Sequence, residues 1–353
     1  MKRNAFSVVE LLVVIVIMGV LIGLLLPAVQ RTRGPHLRTD CLNRLRQLAL
    51  ATLNYESANM EFPQATGVAA FGDVGSNNQL NGLVAVLPFL EQSNIYDQIT
   101  RQSTIDGVDY PAFPPLYGAG VRHWEFRVPS FICPSVNSPA GGKYAPIHYG
   151  LCIGDRARNI ASPKSLRGGF AGSQSITFDD MADGSSNTIL AGEICSREAG
   201  GQPTDFAIDQ PASILEDPMV CFDLTTGSAT NWRYTKAVPL SPLRRGEHWA
   251  DGRAGVALFN TILPPNSPSA AVKGSVGVDG IYSASGPHPG AINVVFFDDS
   301  CHSIDLEIDI GDSSSPTLTE EEMAARVASP YGCLLYTSPS PRDQRGSRMP
   351  SSA

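Results

Sequence analysis

The chain has 353 residues, a formal net charge of -8, 33 glycines and 27 prolines. The acidic balance excludes a broad nucleic-acid surface, and no lysine or arginine run follows Arg46. The glycine and proline content argues against a helical bundle and for a loop-rich β body, with room for one large domain or two small ones.

The first element is Phe6 to Gln30, FSVVELLVVIVIMGVLIGLLLPAVQ, whose apolar run from Val8 to Leu26 is broken by one charge, Glu10. About 20 residues of helix cross about 30 Å of hydrocarbon, so this stretch reads as a membrane span. A carboxylate in that setting is costly and marks function. Lys2 and Arg3 precede the run, while Arg31, Arg33 and Arg38 follow it, so charge alone does not orient the chain. An ordinary secretory signal has a shorter apolar core and a small-x-small cleavage site, and LLLPAVQRTRG supplies no such site.

After Pro27 and the weak point at Gly34-Pro35 the helical period resumes. Leu37, Cys41, Leu45, Leu48, Thr52 and Leu53 recur at three- and four-residue spacing, with Arg38, Asn43, Arg44 and Gln47 between them. Asn59 and Pro63 end the helix. If straight, Phe6 to Asn59 reaches about 80 Å.

Beyond it the chain reads as short strands between turn clusters. Residues 67–81 and 106–120 read as irregular, and residues 83–99 as a short amphipathic helix marked by Leu87, Leu90, Ile95 and Ile99. Strands are expected at 126–133, 176–178, 188–193, 256–259 and 293–297. The clearest is His302 to Ile310, where Ile304, Leu306, Ile308 and Ile310 alternate with Ser303, Asp305, Glu307 and Asp309, giving one wet face. Thr319 and Glu322 have capping-box spacing before a last helix to Ala328. Parallel βαβ spacing is absent, so an antiparallel sheet packed on the long helix is expected.

MKRNA followed by FSVVELL resembles the class III signal segment of type IV prepilins and type II secretion pseudopilins. The resemblance implies cleavage between Ala5 and Phe6, methylation of the new amino terminus, and an assembly role for Glu10, the fifth mature residue. Ala5 departs from the family's glycine before the cut. Four further segments resemble the prepilin-like proteins that carry domain of unknown function 1559. They are TDCLNRLRQLALATLNYESANMEFP, VPSFICPS, ITFDDMADGSSNTILAGE and HPGAINVVFFDDS, the last similar to that family's His-x9-Asp-Gly signature over His288, Asp298 and Asp299. Asp299 stands where the signature has glycine. If that glycine closes a turn with positive φ, aspartate is one of the few replacements that tolerates it.

The resemblance implies an α+β, pilin-like fold, with a long N-terminal helix (membrane half plus amphipathic half) on a β-rich antiparallel-sheet domain. Its parts are a leader at 1–5, a transmembrane and assembly helix at 6–30, an amphipathic continuation at 31–60 and an extracytoplasmic body at 61–332. Prepilin peptidase, other pilin or pseudopilin subunits and the inner membrane are the implied partners, with no nucleic acid. The implied role is a structural subunit of a type IV pilus or secretion pseudopilus, the body lying in the periplasm or outside the cell. An anchored binding module for glycan or protein that does not polymerise competes with it. The tail from Cys333 to Ala353 resembles translated sequencing-adapter read-through and is set aside; a native disordered tail is the alternative.

No catalytic role is expected. Six cysteines remain without CxxC spacing, which argues against structural zinc. Within the resemblance, Cys41 and Cys133 occupy motif segments in an oxidising compartment; a disulfide and two buried thiols are both open. His288 and Asp298 flank an apolar strand that would hold them roughly 30 Å apart, against a shared site. Asp179, Asp180, Asp183 and Asn187 in DDMADGSSNT suit either calcium or a turn, and the spacing departs from the EF-hand loop. Turn formation is the preferred reading, and no cofactor is expected.

Overall fold

The computed structural model describes residues 8–67, 79–117, 121–136, 143–195, 205–227, 232–274 and 279–331, with backbone only over 24–35. The leader, Ala5, Phe6 and the tail from residue 332 lie outside this set. The fold is mixed α+β, with one N-terminal helix lying against one mixed sheet.

Helix α1 runs unbroken over Val8–Asn59, through Pro27 and the expected weak point at Gly34-Pro35. Its two ends behave differently. From Val8 to Ile22 the large apolar side chains are 43–79 % exposed. From Cys41 onward one stripe is buried: Cys41, Leu45, Leu48, Ala49, Thr52 and Tyr55. That three-and-four spacing is what a sheet-covered helix face requires. Among the described residues no helix is long and apolar enough to cross a membrane. The expected span over 6–30 therefore has no counterpart there, since the described side chains of that run stop at Gly23.

The five-stranded sheet comprises β1 (Tyr149–Cys152), β2 (Ile189–Glu193), β3 (Leu258–Phe259), β4 (Ala291–Phe296) and β5 (Cys301–Asp305). Its order is β5-β4-β2-β1-β3. Three pairings are antiparallel, but β1 runs parallel to β3, with Leu151 opposite Leu258. The all-antiparallel expectation is corrected on this point. Strand β3 is only two residues long and follows a one-turn helix, Ala254–Ala257, which delivers it parallel to β1.

α1 packs on β4, β2 and β5. Val295 and Phe297 belong to the core beneath α1, while Ile292, Val294 and Phe296 face a second core with Ile304, Leu306 and Phe259. Burial on both faces explains why β4 reads as an apolar run broken only by Asn293. Only the edge strand β5 alternates with water, and it stops at Asp305 although Leu306 and Ile310 stay buried.

Three further expectations need correction. Residues 126–133 form a 3-10 turn, Pro129–Phe131, and not a strand. The carbonyls of Pro129 and Ile132 accept from Arg44 Nη1 on α1, at 2.6 and 2.7 Å, in place of a strand ladder. Residues 176–178 enter a 3-10 turn, Phe178–Asp180, capped by Thr177. The expected helix at 83–99 is split into Leu83–Val86, a 3-10 turn Leu87–Leu90, and Ser93–Thr100, with Glu91 at φ 60° between the last two. The Thr319 capping box is present, on a helix limited to Glu320–Ala324.

Candidate functional site

Where α1 crosses the sheet, Cys41 projects from its buried stripe and is joined by a disulfide to Cys133, with Cα atoms 5.0 Å apart. Cys133 sits just past the 3-10 turn that Arg44 holds. His148, just before β1, and Tyr149, its first residue, fix the bridge. Cys133 N donates to His148 Nδ1 at 2.9 Å, and Tyr149 Oη donates to the Cys41 carbonyl at 3.2 Å. Burial pushes the His148 pKa down to about 4, so the ring is a neutral acceptor. Burial, then the charge of Glu193, raises the Tyr149 hydroxyl well above its ordinary value.

Beside the disulfide lie Glu193, the last residue of β2, and His288, which precedes β4. Glu193 is fully buried and His288 is 6 % exposed. A buried carboxylate needs partners, and Glu193 has three. Oε2 accepts from Asn293 N at 2.9 Å; Oε1 accepts from Asn293 Nδ2 and His288 Nε2, both at 3.0 Å. Asn293 is steadied in turn, its Oδ1 accepting from Arg38 Nε at 3.2 Å and Ser303 Oγ at 3.0 Å. Gly286 leaves the room for this: a Cβ there would stand 2.5 Å from Glu193 Oε2.

Cys133 Sγ lies 3.9 Å from His288 Nε2, the same nitrogen that serves Glu193. A nucleophile–base–carboxylate relay needs both ring nitrogens, one for each neighbour, so this is not a Cys-His-Glu triad. The four residues do offer ligand atoms within 4.8 Å of one another. Thiolate, imidazole and carboxylate are zinc-type donors.

Each of the four segments quoted above contributes one member: Cys41, Cys133, Glu193 and His288. The sequence sets His288 and Asp298 at opposite ends of one strand, and no local pattern pairs His288 with Glu193. The signal at Glu193 was a carboxylate closing the apolar run TILAGE, where an unpaired charge is untenable. Asp298 sits at the opposite end of β4, where Oδ1 accepts from Ser300 N at 2.9 Å. Asp299 adopts φ 67° and accepts from Arg46 Nε at 2.8 Å.

The family described as "Protein of unknown function (DUF1559)" matches residues 38–311. The chain belongs to that family. No curated protein and no solved structure matches the DUF1559 chain.

Two other features of the DUF1559 chain bear on sites considered from sequence. Asp180 Oδ2 accepts from Thr177 N and Oγ1, and the Asp183 carbonyl accepts from Asn187 Nδ2, so this segment is organised as turns. Asp179, Asp180 and Asp183 also line a cavity of about 650 Å³, with Asp155, Arg167 and Met323. On its wall Arg167 grips Asp155 through two bonds, 2.7 and 2.9 Å.

Proposed function

We infer that the chain is a pseudopilin-like structural subunit. Its leader is removed between Ala5 and Phe6, its apolar run stands in the inner membrane, and its body lies outside the cytoplasm. The carrying observation is the division of labour along α1: the end from Cys41 is built into the body's core, while Val8–Ile22 stands exposed and apolar. A soluble domain does not leave so long an apolar face uncovered. Glu10 is the single charge in that run. In a filament its carboxylate would meet the new amino terminus of a neighbouring subunit, each offsetting the burial of the other.

Co-expression of the full chain with a prepilin peptidase tests this. Mature amino-terminal sequencing should begin at Phe6, filaments should form, and Glu10→Val should be cleaved normally yet assemble poorly. Equal assembly by Glu10→Val overturns the reading. The cavity beside Arg167 and Asp155 favours the second reading, an anchored binding module that never polymerises; that reading takes over if no filament forms.

A further inference from the structure

We propose that Cys41, Cys133, Glu193 and His288 form a closed binding site for one zinc-class divalent cation when the cysteines are thiols, and that the disulfide is the alternative closure of the same site. The chain is made with thiols, so the metal form needs no reductant. It would precede the disulfide form or replace it where oxidation fails.

The geometry points to this in three ways. The four ligand atoms already lie within 4.8 Å of one another. Tetrahedral zinc with thiolate, imidazole and carboxylate donors spaces its ligand atoms about 3.3–3.8 Å apart, so rotation of the two cysteine side chains closes the set. The donors number four and are buried, which is the pattern of a structural site with no open coordination position. An outer shell is also in place: Asn293 holds both carboxylate oxygens of Glu193 and is itself held by Arg38 and Ser303. Such partners orient metal ligands and raise affinity.

The charges and protons balance. Each thiol loses one proton on binding, and the imidazole proton moves from Nε2 to Nδ1 so that Nε2 can ligate. Two thiolates, one carboxylate and a divalent cation leave a net charge of minus one in the site, with Asn293 donors facing the carboxylate.

The test uses the full-length chain in detergent. One sample is left oxidised. The other is reduced with a water-soluble phosphine, which takes the oxygen of one water while the two sulfurs take its hydrogens, and is then freed of phosphine under anaerobic conditions. Both are titrated with cobalt(II), a spectroscopic stand-in for zinc. The reduced chain should bind one cobalt with thiolate-to-metal charge-transfer absorption, and alkylation mapping should find Cys41 and Cys133 protected. The oxidised chain should bind none at this site. His288→Gln and Glu193→Gln should each weaken binding at least tenfold, and Cys152→Ser should leave it unchanged. Absence of the thiolate band, or alkylation of Cys41 and Cys133 in cobalt-loaded wild type, overturns the proposal. That readout on the wild type stands even if a variant fails to fold. None of these outcomes depends on filament formation, so the pseudopilin reading is tested separately.

Discussion

Arg46 on α1 donates from Nε to Asp299 Oδ2 at 2.8 Å, and Asp299 is the left-handed residue of the β4–β5 turn, at φ 67°. Asp299 N donates to the Phe296 carbonyl and Phe296 N to the Ser300 carbonyl, at 3.1 and 2.9 Å, which makes a tight three-residue hairpin loop. Helix and hairpin are thus pinned together at this left-handed residue.

Asp299 serves two ends that oppose each other. Glycine would relieve about 1 kcal/mol of backbone strain but lose the bond to Arg46, whose exposed side chain adds little. Asp299→Gly should therefore be close to neutral, and Asp299→Val, β-branched at positive φ, should lose about 1–2 kcal/mol. Urea unfolding of the two variants decides it; equal losses would refute the backbone argument.

The Cys41–Cys133 bridge spans 92 residues of sequence. Breaking it in the presence of a chelator should cost about 2–4 kcal/mol. The same loss is expected for Cys133→Ser. An unfolding midpoint unmoved by reduction would show that Arg44 and the core hold the segment alone.

Acid should act in two windows. Burial holds the His248 pKa at about 4, below its ordinary 6.5, although its contact with the Leu116 carbonyl pulls upward. The unfolded chain therefore binds more protons between those values, and stability falls as pH drops from about 6.5 towards 4. Burial would raise Glu320, but bonds from Arg156, Lys164 N and Ser165 outweigh it and hold the pKa at about 2, against an ordinary 4.5. Its contribution is intact above 4.5 and is lost as pH falls towards 2. Glu320→Gln should flatten the lower window and leave the upper one; a variant with the wild-type slope below pH 4.5 would contradict the assignment.

Two glycines separate steric from conformational need. A Cβ at Gly286 would stand 2.5 Å from Glu193 Oε2, whereas one at Gly290 would meet nothing within 4 Å, though φ there is 76°. Gly286→Ala should cost about 1–3 kcal/mol by pressing on a buried carboxylate. Gly290→Asn should cost no more than about 1 kcal/mol, because asparagine is among the residues that best tolerate that backbone. The reverse order in thermal unfolding would refute the close packing at Glu193.

Long-period features were legible in the sequence, and convergence was not. The helical stripe through Cys41, Leu45, Leu48 and Thr52 and the apolar run of β4 announce themselves within one stretch of chain. Strand β1 did not, because Tyr149–Cys152 is four residues beside glycines and is buried on both faces, so it has no alternation to read. At 126–133, β-branched and aromatic residues suggested a strand, but Pro129 and the claims of Arg44 on two carbonyls prevailed. Glu193 and His288 are 95 residues apart, and no local pattern pairs them. Their meeting depends on β2 and β4 being neighbours, which only the strand order supplies.

Continuity of α1 has a mechanical consequence. The helix that begins at Val8 passes without a hinge into the stripe that carries Cys41, Arg44 and Arg46. A pull along its axis from the amino-terminal end is delivered to three anchorages in succession: a covalent one at Cys133, the Arg44 grip on the 129–132 turn, and Asp299 at the sheet edge. The Arg38 bond to Asn293 is met before these three, and the disulfide then bears tension ahead of the Arg44 and Asp299 attachments. A chain locked in this way would resist extraction of α1 from its body far better than one relying on apolar packing, and its reduction would convert a tether into a release.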